Sequence, residues 1–383
     1  MSWQTSYFPA SGPTWAREVP KVKGCIGTLN FRHFRHLYYP MLFSEIIGQE
    51  KAKRFFKRVI SEERLPHAYL FTGIPGIGKT RAARALTMAL NCRAPADLDG
   101  CGSCPSCRQM LGGNFPDFIY IKPDGQNIKI EQIRDLNRRL SFAPVSAKHR
   151  VCVLQQAEAM TVEAANSFLK TLEEPPPGNI LILNAVEPLD LLPTIVSRCQ
   201  RVPFQPLPVQ AMTDWLIKEK DIDSQTAIIV AKASGGSLGR ALKMSEDVFL
   251  EKRREWVSGL LKLPRLSKGE ALQMAVESTA KDKRGGPDGS KSGEPGLLEM
   301  LAVWGYWYRD LLLMKAAGQT RLIMNVDFSD KLQILAKSSK IENLIDSLFA
   351  VDKAIKDLRR MRNSTLVMEH VLLTLQRLAG YYS

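Results

Sequence analysis

The sequence predicts an α/β domain built on a mainly parallel sheet, followed by helical domains. Three observations carry this prediction. Between residues 42 and 202, short apolar runs alternate with stretches of helical periodicity, which is the order typical of βαβ units. A glycine-rich loop, GIPGIGKT, follows the first apolar run and opens a helical stretch. Beyond Pro208 the periodicity is helical.

The individual elements follow from the same pattern. The predicted strands are the apolar runs at residues 68–73, 118–122, 150–154 and 179–185. The predicted helices between them cover residues 79–91, 130–140 and 162–174. Because helices separate consecutive strands, we expect crossover connections and parallel pairing.

Length and local composition predict several domains. A chain of 383 residues corresponds to two or three domains at roughly 150 residues each. We place the α/β domain at 41–206, a first helical domain at 207–270 and a second at 297–383. Residues 281–295 are rich in Gly, Pro, Ser and Lys, so 271–296 is predicted to be a flexible linker or loop. Residues 1–40 hold four prolines without helical periodicity; we expect a mostly disordered extension, or a natural start at Met41.

The composition excludes several classes of protein. Apolar residues make up 45% and charged residues 24% of the chain, as in globular proteins. No apolar run reaches the roughly 18 residues of a membrane-spanning helix. The net charge of +14, from 53 Lys and Arg against 39 Asp and Glu, favours a polyanionic partner such as nucleic acid.

The loop at residues 73–80 matches the phosphate-binding pattern G-x-x-x-x-G-K-[ST]. Gly73, Gly76 and Gly78 allow the backbone N–H groups to curl around phosphate oxygens. Lys79 is expected to meet the β and γ phosphates, and Thr80 to bind Mg²⁺. The motif therefore predicts ATP with Mg²⁺ as a possible ligand, and a glycine-rich turn without nucleotide is the alternative.

Hydrolysis is not expected, because the acidic residues that it needs are missing from their usual place. The strand predicted after the loop ends in Gln155 and Gln156. A neutral amide neither supplies the charge that holds Mg²⁺ nor acts as a base. Glu158 is interpreted as an exposed acid at the start of a helix, with a displaced catalytic acid as the alternative.

Four of the seven cysteines are clustered, and their spacing is typical of a metal site. Cys92, Cys101, Cys104 and Cys107 form the pattern C-x8-C-x2-C-x2-C. Four thiolates close a tetrahedral Zn²⁺ shell without an open position, so a structural zinc ion is predicted. Unligated thiols and an iron–sulfur cluster are the alternatives. An odd cysteine count with one tight cluster favours a reducing compartment, and we expect a cytoplasmic protein.

Four further segments, in order, carry a family resemblance. They are FSEIIGQEKA (43–52), RLPHAYLFTGIPGIGKTRAARAL (64–86), AANSFLKTLEEPPP (164–177) and TIVSRCQ (194–200). Together with the cysteine cluster, they resemble the bacterial DNA polymerase III clamp-loader subunits of the AAA+ class, over about residues 42–380. The resemblance implies an AAA+ P-loop core with a parallel sheet, a helical lid domain and a C-terminal all-α collar domain that mediates oligomerisation.

Within that family the chain resembles the delta-prime type more than the gamma/tau ATPase type. Gln155 and Gln156 stand where the gamma/tau type has Asp-Glu, and Ala185 with Val186 replace its adjacent sensor threonines. Gly239 stands at the position of the sensor arginine. Arg240 follows one residue later, which makes it a doubtful contact to the γ phosphate.

The resemblance also implies a role in an assembly. The chain would bind ATP weakly, structurally or not at all. It would donate Arg198 in trans to the ATP of a neighbouring gamma/tau subunit. The implied partners are the gamma/tau and delta subunits, the sliding clamp and primer–template DNA. An exposed Arg198 in an intrachain ion pair is the plainer interpretation of that residue.

Two other functions remain open. One is an active gamma/tau-like AAA+ ATPase subunit, in which Glu158 or a remodelled site restores turnover. The other is a zinc-dependent nucleic-acid-binding module in which the phosphate loop is incidental.

Overall fold

The computed structural model describes residues 42–283, 296–318, 323–360 and 362–379. The predicted N-terminal extension and residues 284–295 of the predicted linker lie outside these ranges. The chain divides into two compact units. The first extends to Gly73 and resumes from Gly78 to Phe204, whereas the second comprises Ile74–Ile77 and the residues from Gln205 onward. Within the described ranges, no helix has both the length and the apolar character that crossing a bilayer requires.

The first unit is built on a parallel sheet, as the sequence predicts. Its strands in the described part of the chain are β1 (Ala68–Thr72), β2 (Phe118–Ile121), β3 (Arg150–Leu154), β4 (Asn179–Ala185) and β5 (Gln200–Pro203). Their order across the sheet is β2-β3-β4-β1-β5. The four predicted strands are confirmed, whereas β5 is not in the prediction. It is an edge strand with one buried residue, Val202, so its sequence carries little apolar signal.

The register brings several strand ends to one edge of the sheet. Thr72 at the end of β1 pairs with Ala185 at the end of β4, and Leu154 of β3 pairs with Leu183. The glycine-rich loop leaves β1 at this edge, where the N–H of Gly73 donates to the carbonyl of Val186 at 3.0 Å. Ligands of open parallel sheets bind outside this edge.

Helices cover the sheet of the first unit. They are α1 (Glu50–Ser61), α2 (Lys79–Asn91), α3 (Pro105–Leu111), α4 (Ile130–Leu140), α5 (Val162–Glu173) and α6 (Pro193–Val196). The three predicted helices correspond to α2, α4 and α5. Leu136 of α4 and Phe168 of α5 are completely or almost completely buried, and they belong to the same apolar cluster as Leu183 of β4. The cluster includes Leu154 and Ala185, so this packing holds the ends of β3 and β4.

A buried ion pair anchors the loop before β3. Asp117 and Arg150 are almost fully buried, and Nε of Arg150 lies 3.3 Å from Oδ1 of Asp117. The carboxylate also accepts backbone N–H groups of Val145, Ser146 and Ala147 at 2.8–2.9 Å. Burial alone would raise the pKa of Asp117, but these donors and Arg150 outweigh burial and lower it.

The second unit is helical. Its helices within the described residues are α7 (Val209–Lys220), α8 (Ser224–Ala233), α9 (Leu238–Met244), α10 (Asp247–Lys262), α11 (Lys268–Lys283), α12 (Leu297–Ala317), α13 (Ser329–Ser338), α14 (Ile341–Arg359) and α15 (Ser364–Ala379). Helix α11 occupies much of the range for which the sequence predicts a linker, and it packs along α15. Trp304 and Trp307 of α12 are buried, so both aromatic side chains are part of the core of the second unit.

A polar network joins helices of the second unit. The guanidinium of Arg253 in α10 donates to Asp327 at 2.7 and 2.9 Å and to Asn325 at 2.6 Å. Asn325 in turn donates to the buried carboxylate of Asp310 in α12. Because these groups satisfy one another, the segment before α13 is fixed to both α10 and α12.

Candidate functional site

The ends of the phosphate loop adopt the conformation that glycine permits. Gly73 has φ +137° and Gly78 has φ +108°. A Cβ on Gly73 would lie 2.5 Å from the carbonyl oxygen of Phe204, so a larger residue does not fit there. Helix α2 begins directly after Gly78. The N–H groups of its first turn have no partner within the helix, which suits an anion.

The middle of the loop belongs to the second unit, where it contacts the turn before α9. The N–H of Gly239 donates to the carbonyl of Gly76 at 2.9 Å, and Oγ of Ser237 donates to the carbonyl of Pro75 at 2.8 Å. A Cβ on Gly239 would lie 2.9 Å from Cα of Gly76. Glycine at position 239 is therefore required for close backbone packing.

Arg240, the residue after this glycine, contacts another helix of the second unit. Its guanidinium donates to the hydroxyl of Tyr306 in α12 at 2.8 Å, and it lies 5.9 Å from the ring centroid. This arrangement combines a hydrogen bond with a cation–π contact. Arg240, a doubtful contact to the γ phosphate by the family resemblance, is thus bound to Tyr306 within the second unit.

Lys79 is partly withdrawn from solvent at the start of α2. Its ammonium donates to the carbonyl of Gly73. Burial lowers the pKa of Lys79 to about 8, and the nearby carboxylate of Glu158 opposes this shift. A lysine in this position can meet phosphate oxygens as a point charge.

Glu158 is not the exposed acid that the sequence predicts. It lies in a short 3-10 turn, Ala157–Ala159, after β3 and is half-buried. Within the described residues, its Oε2 is buried without a hydrogen-bond partner. Burial raises the pKa of Glu158, while hydrogen bonds to backbone N–H groups and the charge of Lys79 act to lower it. The turn places this carboxylate beside the phosphate loop because it follows β3 immediately.

The hydroxyl of Thr80 belongs to a chain of neutral side chains. Nδ2 of Asn184 in β4 donates to Oγ1 of Thr80 at 3.1 Å. The Thr80 side chain also lies near the hydroxyl of Tyr120 in β2 and acts to lower the pKa of Tyr120, although burial raises it overall. Tyr120 in turn donates to Oε1 of Gln155 at the end of β3. Thr80 and Gln155 are singled out by the sequence, whereas Tyr120 and Asn184, which lie beside them, are not. A polar residue within the apolar run NILILNA is the signal that could have indicated Asn184.

This arrangement does not fit Mg²⁺ in the usual way. Protein sites for Mg²⁺ combine one or two carboxylates with phosphate oxygens and water in octahedral geometry. Here Gln155 provides a neutral amide oxygen that accepts from Tyr120, and the hydroxyl of Thr80 accepts from Asn184. Glu158 is electrostatically coupled to Lys79. These contacts leave the residues of the loop without the acidic ligand of a magnesium site.

The four clustered cysteines are brought together as the spacing predicts. Their Sγ atoms all lie within 4.8 Å of one another, and those of Cys92 and Cys104 are 4.0 Å apart. Tetrahedral zinc thiolates with bonds of about 2.3 Å have sulfur atoms about 3.8 Å apart, so a small contraction closes the shell. Hydrogen bonds from Ser103 and from backbone N–H groups lower the pKa of Cys101 to about 6, which favours its thiolate. The cluster therefore has the composition and geometry to hold a metal ion.

A carboxylate within the cysteine segment ties it to residues before α1. Asp99 accepts the N–H of Phe43 at 2.5 Å and that of Ser44 at 3.3 Å. Nearby, Lys57 of α1 pairs with Asp97 at 2.6 Å. The segment is thus fastened to its own unit at several points besides the cysteines.

Arg198 follows α6 and makes contacts within its own unit. Its guanidinium donates to the carbonyl of Thr194 at 2.9 Å and pairs with Glu173 at 2.5 Å. The side chains of Arg198 and Glu173 are 35% and 50% exposed. An ion pair in such an exposed setting contributes about 0.2–1 kcal/mol. In the isolated chain, Arg198 therefore forms an intrachain ion pair, which is the plainer interpretation of this residue.

Comparison with known proteins supports the family resemblance that the sequence motifs indicate. The family described as "DNA polymerase III, delta subunit" matches residues 48–208. The DNA polymerase III subunit delta' of Bacillus subtilis (strain 168) is 32% identical over 332 residues, which cover 86% of this chain and 96% of that protein. The chain belongs to the clamp-loader subunits of DNA polymerase III.

Other relatives of this clamp-loader subunit are of the tau type. The tau subunit of B. subtilis (strain 168) is 27% identical over 361 residues, covering 89% of this chain and 62% of that protein. A DNA polymerase III gamma subunit-related protein from Thermotoga maritima is a structural neighbour with a TM-score of 0.39 and 20% identity, covering 86% of this chain and 99% of that one. The parallel α/β unit and the helical C-terminal region agree with the parallel sheet and helical segments that the resemblance predicts.

Proposed function

We propose that this clamp-loader subunit is of the delta-prime type: it does not turn over ATP itself, and it donates Arg198 to an ATP site on a neighbouring gamma/tau subunit. The observation that carries the proposal is the end of β3. There Gln155 is hydrogen-bonded to Tyr120, and Gln156 is exposed. Neither side chain can supply the negative charge or the base that phosphoryl transfer to water requires.

The position of Arg198 supports a role in trans. The residue is partly exposed, and its ion pair with Glu173 is weak enough to be exchanged for a stronger partner. A guanidinium stays charged and meets phosphate oxygens bidentately. In other NTPases an arginine supplied in this way accelerates hydrolysis by about 10³–10⁵-fold.

The nucleotide and metal sites complete the proposal. Gly73, Gly76, Gly78, Lys79 and Thr80 would bind nucleotide, which would have a structural role in this subunit. The cysteine cluster, Cys92, Cys101, Cys104 and Cys107, would hold one zinc ion. Four thiolates leave no open coordination position, so this zinc would stabilise the fold and take no part in a reaction.

The helical segments and the partners are part of the same proposal. We assign 207–270 to a lid and 297–383 to a collar that joins the other subunits. The gamma/tau and delta subunits would be direct partners, and the sliding clamp and primer–template DNA would be reached through the assembly. The net charge of +14 is compatible with an assembly that acts on DNA.

Steady-state ATP hydrolysis by a reconstituted clamp loader tests the arginine role. The complex contains the gamma/tau subunit of the same organism and is stimulated by the clamp and primed DNA. Arg198→Ala should lower the rate strongly while assembly by gel filtration is unchanged. Arg201→Ala, which removes an exposed arginine from β5, is the matched control. An unchanged rate with Arg198→Ala contradicts the proposal.

The second candidate is an active gamma/tau-like ATPase subunit. It is favoured by the complete phosphate-loop motif and by Glu158, whose carboxylate lies near Lys79. Turnover by the isolated chain separates the two candidates. Sustained hydrolysis that disappears with both Lys79→Ala and Glu158→Gln would establish the active ATPase, whereas its absence agrees with the delta-prime type.

A further inference from the structure

The hydroxyl of Thr80 has a different environment from that of a magnesium ligand. Asn184 donates to it at 3.1 Å, and it lies near the hydroxyl of Tyr120, which donates to Gln155. The four side chains come from α2, from strands β2 and β4, and from the residue that follows β3. We call these residues, Thr80, Tyr120, Gln155 and Asn184, the neutral chain. It lies entirely within the first unit.

Hydrogen bonds within the neutral chain compete with a divalent cation for two of its oxygens, those of Thr80 and Gln155. A cation bound to Thr80 would need a lone pair of the hydroxyl next to the hydrogen bond from Asn184. A cation bound to Gln155 would need the oxygen that accepts the Tyr120 hydroxyl. Both oxygens are neutral, and Mg²⁺ loses its hydration shell reluctantly even for carboxylates.

The charges near the neutral chain also disfavour a divalent cation. Arg84 of α2 acts electrostatically on Tyr120 and lies 5.7 Å from the ring centroid of Phe118. The positive charge of Lys79 acts on Glu158 and opposes the rise of its pKa on burial. A magnesium ion drawn to Glu158 would therefore be repelled by the charge of Lys79.

Burial and backbone pairing restrict the position of Asn184 in the neutral chain. It is 2% exposed at the end of β4, and within the described residues its Oδ1 has no hydrogen-bond partner. Its backbone is paired with Phe71 in the middle of the sheet. The backbone of Asn184 is therefore fixed beside β1, the strand that leads into the phosphate loop.

We propose that the phosphate loop of this subunit binds nucleotide without a divalent cation, because the neutral chain takes the place of the magnesium ligands. The inference rests on the proposed nucleotide binding by this loop. The phosphates would be held by the N–H groups at the start of α2 and by Lys79. The nucleotide would then stay bound and unreacted, since no metal is present to activate hydrolysis.

Nucleotide binding to the purified full chain in two buffers tests the proposal. Fluorescent ATP and ADP analogues are titrated with Mg²⁺ present and with Mg²⁺ removed by EDTA. The wild-type chain should give the same Kd in both buffers. Lys79→Ala should weaken binding in both, which locates the nucleotide at this loop.

A second part of the experiment places a carboxylate at position 155, after the end of β3. Gln155→Glu should introduce magnesium dependence, with binding about tenfold tighter in Mg²⁺ than in EDTA. Gln156→Glu adds the same charge one residue later on an exposed side chain, and it should leave the two buffers equal. Circular dichroism verifies that each variant is folded.

Three results would overturn the proposal. They are wild-type binding that is at least about tenfold weaker in EDTA, no binding of either nucleotide in either buffer, and a Gln155→Glu variant indifferent to Mg²⁺. The wild-type comparison stands even if a variant fails to fold. None of these results bears on Arg198, whose role is tested by ATP hydrolysis of the assembled complex.

Discussion

The ion pair between Arg198 and Glu173 makes a quantitative prediction about ATP hydrolysis in the assembly. An arginine that reaches a neighbouring subunit must leave Glu173. The two side chains are 2.5 Å apart and 35% and 50% exposed, so the pair contributes about 0.2–1 kcal/mol. Glu173→Gln keeps the size of the side chain and removes its charge. With RT of about 0.6 kcal/mol, the released arginine becomes about 1.4- to 5-fold more populated.

The measurement is the clamp- and DNA-stimulated ATPase rate of the reconstituted complex. We expect Glu173→Gln to raise the rate by the same 1.4- to 5-fold range, about 0.2–1 kcal/mol, if release of Arg198 limits it. Raising the salt concentration should reduce the difference, because salt screens the exposed pair in the wild type. Glu174→Gln, the exposed neighbour of Glu173, serves as the control for a change in local charge.

A rate at or below that of the wild type would refute this reasoning. A fall comparable to that of Arg198→Ala would mean that Glu173 presents the arginine in its working position. Subunit assembly and thermal stability are measured for each variant, so that a loss of rate is not confused with a loss of the complex.

Three further predictions concern the stability of the chain. Asp117→Asn should destabilise the first unit by about 3–5 kcal/mol, since it leaves the buried Arg150 without its counter-charge. Because the pKa of Asp117 is lowered by folding, its stabilisation is present above the unfolded value of about 3.9 and is lost as the pH falls through the folded value. Cys104→Ser should abolish metal binding. Both this variant and the wild type without zinc should be less stable in the first unit by more than about 2 kcal/mol. Gly239→Ala should cost about 1–3 kcal/mol, because its Cβ would lie 2.9 Å from Cα of Gly76.

The Asp117 and Gly239 predictions each have a matched control. Thermal melts and urea unfolding measure the stabilities, and zinc is quantified by atomic absorption. Asp135→Asn removes a solvent-accessible carboxylate that pairs with two arginines, and it should destabilise the chain far less than Asp117→Asn. Gly269→Ala lies in α11 with its nearest atom at 3.9 Å and should not destabilise the chain. Equal melting temperatures for a variant and its control would contradict the corresponding prediction.

The α/β elements were predictable because local periodicity and burial coincide there. Strands β1, β3 and β4 are buried along their whole length, so each appears as a continuous apolar run. Strand β5 escaped the prediction because an edge strand buries little. Helix α11 was missed because a Gly- and Pro-rich stretch follows it and because its apolar face is weakly marked in the sequence.

Site residues were predictable where a motif fixes their spacing, and not where distant segments supply them. The phosphate loop and the four cysteines are continuous patterns, and the structure brings the cysteine sulfurs together. Asn184 and Tyr120 lie 104 and 40 positions after Thr80 in the chain, and they reach it through the order of the strands. The exposure predicted for Glu158 was wrong because the turn after β3 carries it beside Lys79.

The sequence by itself determined the class of the fold, the phosphate loop, the cysteine cluster and the substitution of Gln155 and Gln156 for acids. These are local features, since each depends on residue type and short spacing. The tertiary structure decided which side chains surround Thr80, where Arg240 is directed, and that Arg198 pairs with Glu173. Such contacts join residues that are far apart in the chain. The sheet and helices pack together because packing buries apolar surface, and the resulting arrangement decides which polar side chains meet.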